Sequence, residues 1–199
     1  MSDRVPCPAC GAPILLSTAE KNGGLCMPCK GGYRKSIDAS KIRYEQDKRF
    51  RESSEHKHWQ WLVDQVHNTE TGFSGLSHGN QLYFATNLVS GEVYNGGFDQ
   101  YFHNSSADYF RFAVEGLMAI GASKSLALLT EAKKMFFGDA EVPSDTCERR
   151  SILRATDSEA QVKRDKELDV LDRAFWADPD KLGKRMSQFA KDNELHKNF

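Results

Sequence analysis

Apolar residues recur at helical spacing through most of the chain beyond residue 58. Trp59, Leu62, Val63 and Val66 stand at i, i+3, i+4 and i+7, which is one face of a helix. Asn68–Gly75 interrupts that pattern, and Ser77 is placed to cap a second helix whose apolar face runs through Leu82, Ala85, Val89 and Val93, with Leu88 beside it. Asn104, Ser105 and Ser106 offer caps for a third helix reaching about Ile120. Its face is Phe110, Ala113, Val114, Leu117 and Ile120, widened by Tyr109, Phe112 and Met118. A helix apolar over most of its girth belongs in the middle of a core. Gly121 fits a stop and Ser123 a new cap, after which Leu126, Leu129, Ala132 and Phe136 define a fourth helix. Residues 138–160 read as irregular, with a short helix about Arg149–Arg154. Leu168, Leu171, Ala174 and Phe175 mark a further helix. Asp178-Pro179 reads as a cap with Pro at the first helical position, before a last helix with Leu182, Met186, Phe189 and Ala190 on its face. No strand-like alternation follows residue 33. The expected fold is mainly α: a compact multi-helix domain over residues 59–199.

Ahead of it, residues 1–33 form a small module. Cys7 and Cys10 make one C-x2-C pair, and Cys26 and Cys29 make another after fifteen intervening residues. Each pair closes a tight knuckle aimed at one ion, and together they complete the tetrahedron that zinc prefers. Gly11 and Gly31 follow the knuckles, where the chain bends back toward the sulfurs and positive φ is favoured. Ile14, Leu15 and Leu16 read as a short strand. A segment of this size buries too little surface to fold unaided, so the metal supplies the folding energy. A redox pair would need a βαβ setting, and structural disulfides would suit a secreted chain. The expected cofactor is therefore one structural Zn2+ in a zinc-ribbon-like knuckle on Cys7, Cys10, Cys26 and Cys29. Four thiolates leave no position open for catalysis. Cys147 stands alone and reads as a buried or inert thiol.

Charge divides along the same line. Residues 1–58 hold 11 Lys/Arg and 7 Asp/Glu, whereas residues 59–199 hold 16 and 21. Residues 34–58 contain no Pro or Gly and read as a charged helical linker, with Glu45–Arg49 and Asp47–Arg51 as i,i+4 pairs. Arg34, Lys35, Lys41, Arg43, Lys48, Arg49, Arg51 and Lys57, with Tyr44 and Phe50 interleaved, also allow a nucleic-acid stripe. The interspersed Asp38, Glu45, Asp47, Glu52 and Glu55 favour a solvated connecting helix. The start lacks the apolar core of a signal peptide, and no run approaches the roughly 20 apolar residues of a membrane span. The expectation is a cytoplasmic protein without a membrane partner.

The densest chemistry sits at Glu92–Asn104, EVYNGGFDQYFHN. Three readings stand open. In the first it is architectural: Gly96-Gly97 joins two helices, Phe98, Tyr101 and Phe102 pack inward, and Asn95, Gln100 and Asn104 satisfy backbone at the break. In the second, the amides and tyrosine hydroxyls line a ligand pocket. In the third, Asp99 and His103, at i,i+4, form an acid–base couple within reach of Glu92 and Asp108. No Ser, Cys or metal ligand is arranged to work with that couple, so no catalytic residue is assigned. The other histidines are single or, as His56 and His58, point apart.

Glu92–Ala122 resembles the bacterial family named for a DNA-mimic protein. The family's NGGF-x-QYF-x-N core is matched by Asn95, Gly96, Gly97, Phe98, Gln100, Tyr101, Phe102 and Asn104, followed by an aromatic-rich helix ending in IGA. The likeness spans about Trp59 to Asp180, and an N-terminal cysteine module ahead of the domain resembles a recurrent variant. The resemblance implies an all-helical domain that binds a DNA-binding protein through an acidic surface standing in for DNA. It marks the motif residues as a partner or ligand site. The densest acidic stretch, Glu159–Asp180, is interrupted by Lys163, Arg164, Lys166 and Arg173, so a mixed-charge helix face explains it at least as well. The functional expectation is a non-enzymatic, zinc-binding interaction or regulatory protein whose helical domain binds a protein partner, a DNA-binding protein among the candidates. The alternatives are nucleic-acid binding through residues 1–58 and a hydrolase-type enzyme with a pocket at the motif.

Overall fold

The computed structural model describes residues 3–154 and 158–199. It divides into two compact units, Met1–Ser53 and Ser54–Phe199. Among the described residues the only strands lie in the first unit, and the architecture is otherwise helical.

In the first unit, β1 (Arg4–Pro6) pairs antiparallel with β2 (Pro13–Leu15), with Val5 opposite Ile14. A one-turn-and-a-half helix α1 (Leu16–Lys21) and a single turn α2 (Met27–Lys30) follow. Leu16 thus opens a helix instead of extending the strand. Gly11 has φ +70, as its knuckle demands. At the second knuckle the left-handed residue is Gly32, φ +76, while Gly31 keeps φ −82 and is needed for space, because a Cβ there would overlap the Tyr33 ring. Helix α3 (Arg34–Arg51) runs for 18 residues without a buried side chain. Its i,i+4 ion pair is Arg34 with Asp38, at 3.7 Å. Burial on no face is what the even scatter of its charges dictates.

The second unit is built around α5 (His78–His103), which carries the buried residues Leu82, Ala85, Val89, Val93, Phe98, Tyr101 and Phe102. Ser77 caps it, its hydroxyl accepting from the Asn80 N–H. Before it comes α4 (Ser54–Asn68), which contributes the wholly buried Leu62. After it, Asn104–Ser106 starts a tight 3-10 segment, Ser105–Tyr109, and the α-helix proper, α6 (Phe110–Ala119), is shorter than its apolar pattern suggests. Gly116 lets α6 cross α5 closely, since a Cβ would overlap the Thr86 hydroxyl and sit 2.9 Å from Leu82 O. Met118 points to solvent, so the apolar girth of α6 narrows at its end.

Gly121, at φ +68, ends α6 as expected, with the Ala122 N–H bonded to Leu117 O at 2.8 Å. Helix α7 (Ser123–Phe137) begins one residue earlier than a Ser123 cap would place it. Its first turn is capped from outside, by Asp180 Oδ2 accepting from the Ser125 N–H at 2.7 Å. Helices α8 (Thr146–Arg154), α9 (Ser158–Trp176) and α10 (Leu182–Asp192) complete the unit. On α9, Leu168 and Phe175 are buried, Leu171 is half-buried and Ala174 is exposed. Helix α10 starts after Lys181. Asp178 is therefore not the cap residue and Pro179 lies outside the helix, although Asp178 Oδ1 still accepts from the Leu182 N–H at 2.8 Å. No helix among the described residues is long and apolar enough to cross a membrane.

Candidate functional site

Two places gather chemistry. In the first unit the Sγ atoms of Cys7, Cys10, Cys26 and Cys29 all lie within 4.8 Å of one another. The knuckle at Cys7 closes through Gly11 N–H to Cys7 O, 2.7 Å, and that at Cys26 through Lys30 N–H to Cys26 O, 2.9 Å. The Cys26 N–H donates to Cys7 Sγ at 3.3 Å, and Arg34 Nη2 donates to Cys26 Sγ at 3.2 Å. The Arg34 guanidinium holds the Cys26 thiol at about 6, and the Cys26 N–H lowers Cys7. Burial, with its thiol neighbours, pushes Cys29 up to about 12. Local donors therefore stabilise part of the thiolate charge and leave the remainder for a cation. The donor set fits a metal ion. Cys147 takes no part; it is exposed rather than buried.

In the second unit the motif forms a bend. Gly96 (φ −157, ψ 24) and Gly97 (φ +77, ψ −178) leave helical geometry, so α5 ends and restarts within itself. A helix end exposes carbonyls and a helix start exposes N–H groups, and each needs a partner. For the restart, Asp172 Oδ1 accepts from the Phe98 N–H at 2.8 Å. For the end, Trp176 Nε1 donates to Val93 O at 2.7 Å. Both partners come from α9, far along the chain.

Glu92 is the hub of the bend. Its carboxylate accepts from Gln100 Nε2 at 2.5 Å, Asn104 Nδ2 at 2.9 Å and the Ser106 hydroxyl at 2.6 Å. Asn95 Nδ2 donates to Gln100 Oε1 at 3.2 Å. The motif amides thus bond one another and Glu92, whereas the backbone at the break is met by Asp172 and Trp176. Phe98, Tyr101 and Phe102 are wholly buried. Phe102 meets Phe110, Phe136 and Phe137, and Phe98 meets Phe175.

Two arginines that no sequence pattern singles out hold the far end of α5. Arg149 is wholly buried and donates to Phe102 O, Asn104 O and Pro143 O, at 3.2, 2.7 and 2.7 Å. Its charge is met by Asp108 Oδ1 at 2.6 Å. Arg150 Nε donates to His103 O at 2.8 Å.

The exposed side of the bend opens on a cleft of about 380 Å³ lined by Asp99, His103, Gln161, Asp165, Leu168, Asp169 and Asp172. Four carboxylates thus converge from α5 and α9. Burial raises Asp172 above the usual carboxylate range, and the charges of Asp169 and Asp99 add to the rise. Asp99 and His103 do pair, Nδ1 to Oδ2 at 3.3 Å, although the ring also sits 3.0 Å from Asp99 O. Among the described residues, no hydroxyl or thiol lines the cleft beside them. Arg173 answers Asp169 at 2.8 Å from the rim.

A family model described as DMP19-like protein matches residues 74–193, which includes α5 to α10 and the whole bend. No curated protein and no solved structure gives a match.

Proposed function

Because the chain belongs to the DMP19-like family, we propose that its helical unit is a protein-binding module whose partner is a DNA-binding protein. The observation that carries this reading is the convergence of Asp99, Asp165, Asp169 and Asp172 on one cleft at the family's own motif. A protein that binds DNA reads phosphate charge first, so clustered carboxylates on a rigid helical frame offer it a comparable surface. The motif itself acts behind that surface: Asn95, Gly96, Gly97, Phe98, Gln100, Tyr101, Phe102 and Asn104 set the bend that brings Asp99 opposite α9. Binding, not turnover, is the role this arrangement supports. Among the described residues lining the cleft, the Asp99–His103 couple has no hydroxyl or thiol nucleophile to activate.

We further propose that Cys7, Cys10, Cys26 and Cys29 hold one structural Zn2+. Tetrahedral thiolate coordination suits zinc, and the bound ion would supply the folding energy that two three-residue strands cannot.

Capture of partners on the full chain tests the first proposal. The expected outcome is a basic protein retained at low salt, displaced by duplex DNA, and lost with Asp165→Lys/Asp169→Lys. Retention indifferent to competing DNA and to the charge reversal would reject it.

A further inference from the structure

Residues 193–199 fold back after α10 as a short strap laid across the start of α5 and along α4. The Leu195 N–H bonds Ala190 O at 2.8 Å, and Glu194 takes φ +52 to make the turn. A Cβ at Gly79 would meet Leu195 Cδ2 at 3.4 Å. The Ser54 hydroxyl donates to Phe199 O at 2.8 Å, and the Phe199 ring lies 5.5 Å from Trp61. Beneath the strap is His58, with no exposed surface.

His58 is boxed by rings on every side. Centroids of Trp61, Tyr83, His196 and Phe199 lie 6.0, 5.3, 5.0 and 5.1 Å away. Its Nε2 is 2.9 Å from Asn80 Oδ1, an oxygen that can only accept, so Nε2 carries the proton. Nδ1 is then the bare nitrogen, and it is buried without a partner, as is Nε2 of His196. The bare Nδ1 of His58 thus sits in an apolar box, its ring 5.0 Å from that of His196, with no acceptor for a second proton among the described residues.

We propose that the 193–199 strap is a proton-operated latch, closed while His58 is neutral and released when its Nδ1 takes up a proton. The charged groups nearby do not offset the new charge. Glu194 and Lys197 pair with each other at 2.9 Å on the strap. From α4, the charge of Glu55 adds to the burial that pushes Tyr83 up to about 12, which keeps that phenol neutral. Burial depresses His58, and the charge of His196 depresses it further, with the Asn80 bond opposing. The sign follows. A histidine depressed in the closed state and ordinary in the open state stabilises closure above about pH 6.5, and that stabilisation is lost as pH falls below it. Release would uncover the Trp61–Tyr83 face.

Hydrogen exchange on the full chain, corrected for intrinsic rates, reads the latch at the Leu195 amide. Between pH 7.5 and 5.5 its opening should increase about tenfold for His58 alone, while the Val89 and Val93 amides in the core stay protected. His58→Gln, which keeps a donor for Asn80 but cannot charge, should abolish most of that rise. NMR titration of the His58 ring in the unaltered chain guards against a misfolded variant. Opening that stays flat across this range, or a His58 ring that titrates near pH 6.5 with the strap still protected, would overturn the proposal.

Discussion

Asp172 and Phe98 lie 74 positions apart, yet the carboxylate of one caps the helix that begins at the other, with Oδ1 accepting from the backbone N–H at 2.8 Å. The same carboxylate fills the space a Cβ at Gly97 would need. The glycine therefore serves both its φ of +77 and the approach of its cap.

Asp172→Ala should destabilise the helical unit by about 1–2 kcal/mol, the usual cost of losing a cap, and Asp172→Asn by less, because an acceptor oxygen remains. The pH dependence has a definite sign. A carboxyl raised in the folded state favours folding below its unfolded value, and that contribution is lost as pH rises through the raised one. Asp172→Asn should thus gain on the unaltered chain as pH rises above the ordinary aspartate value of about 4. Urea titrations at several pH values check both statements.

Glu92→Ala should cost more, about 2–4 kcal/mol, since Gln100, Asn104 and Ser106 all lose their common acceptor. Glu92→Gln keeps the shape but brings an NH2 group among donors, so only partial recovery is expected in the same denaturation measurement.

Arg149→Met should destabilise by about 3–5 kcal/mol. It strips donors from three carbonyls and leaves Asp108 without its cationic partner, with only the Thr146 hydroxyl still bonded to it. Arg149→Lys should rescue little, because one ammonium cannot reproduce the fork that reaches Phe102, Asn104 and Pro143 together. Thermal unfolding of the three proteins would order them.

Metal analysis of protein purified without added zinc should give about one ion per chain. Cys26→Ser, or a strong chelator, should remove it and abolish order around α1 and α2, leaving the amide signals of residues 54–199 in place. A folded, metal-free cysteine unit would reject the zinc assignment.

The cysteine centre was legible because its information is local: spacing of two and fifteen fixes where four sulfurs can meet. The helices were legible for a similar reason. Leu82, Ala85, Val89 and Val93 repeat at helical period and all are buried. Helix starts were less so. Ser77 caps α5 as read, but Ser123 does not cap α7; Asp180, from a distant turn, does. A capping side chain next to its helix is visible in sequence, whereas one delivered by another element is not. The buried Arg149 was missed for that reason too, since nothing in TCERRSILR distinguishes a core arginine from a solvated one.

By itself the sequence determined most of the helical segments beyond residue 58 and which four thiols share a centre, and it offered a helix break at Gly96-Gly97 as one of three readings. Those properties depend on residues within a few turns of each other. Only the tertiary structure decided what the break is for. It brings Asp172 and Trp176 onto the two broken ends and sets Asp99 across from Asp165 and Asp169. It also laid the 193–199 strap over His58. Charge and hydrogen bonding act through space, and a linear pattern records neither the distance between α5 and α9 nor the depth at which a histidine is buried.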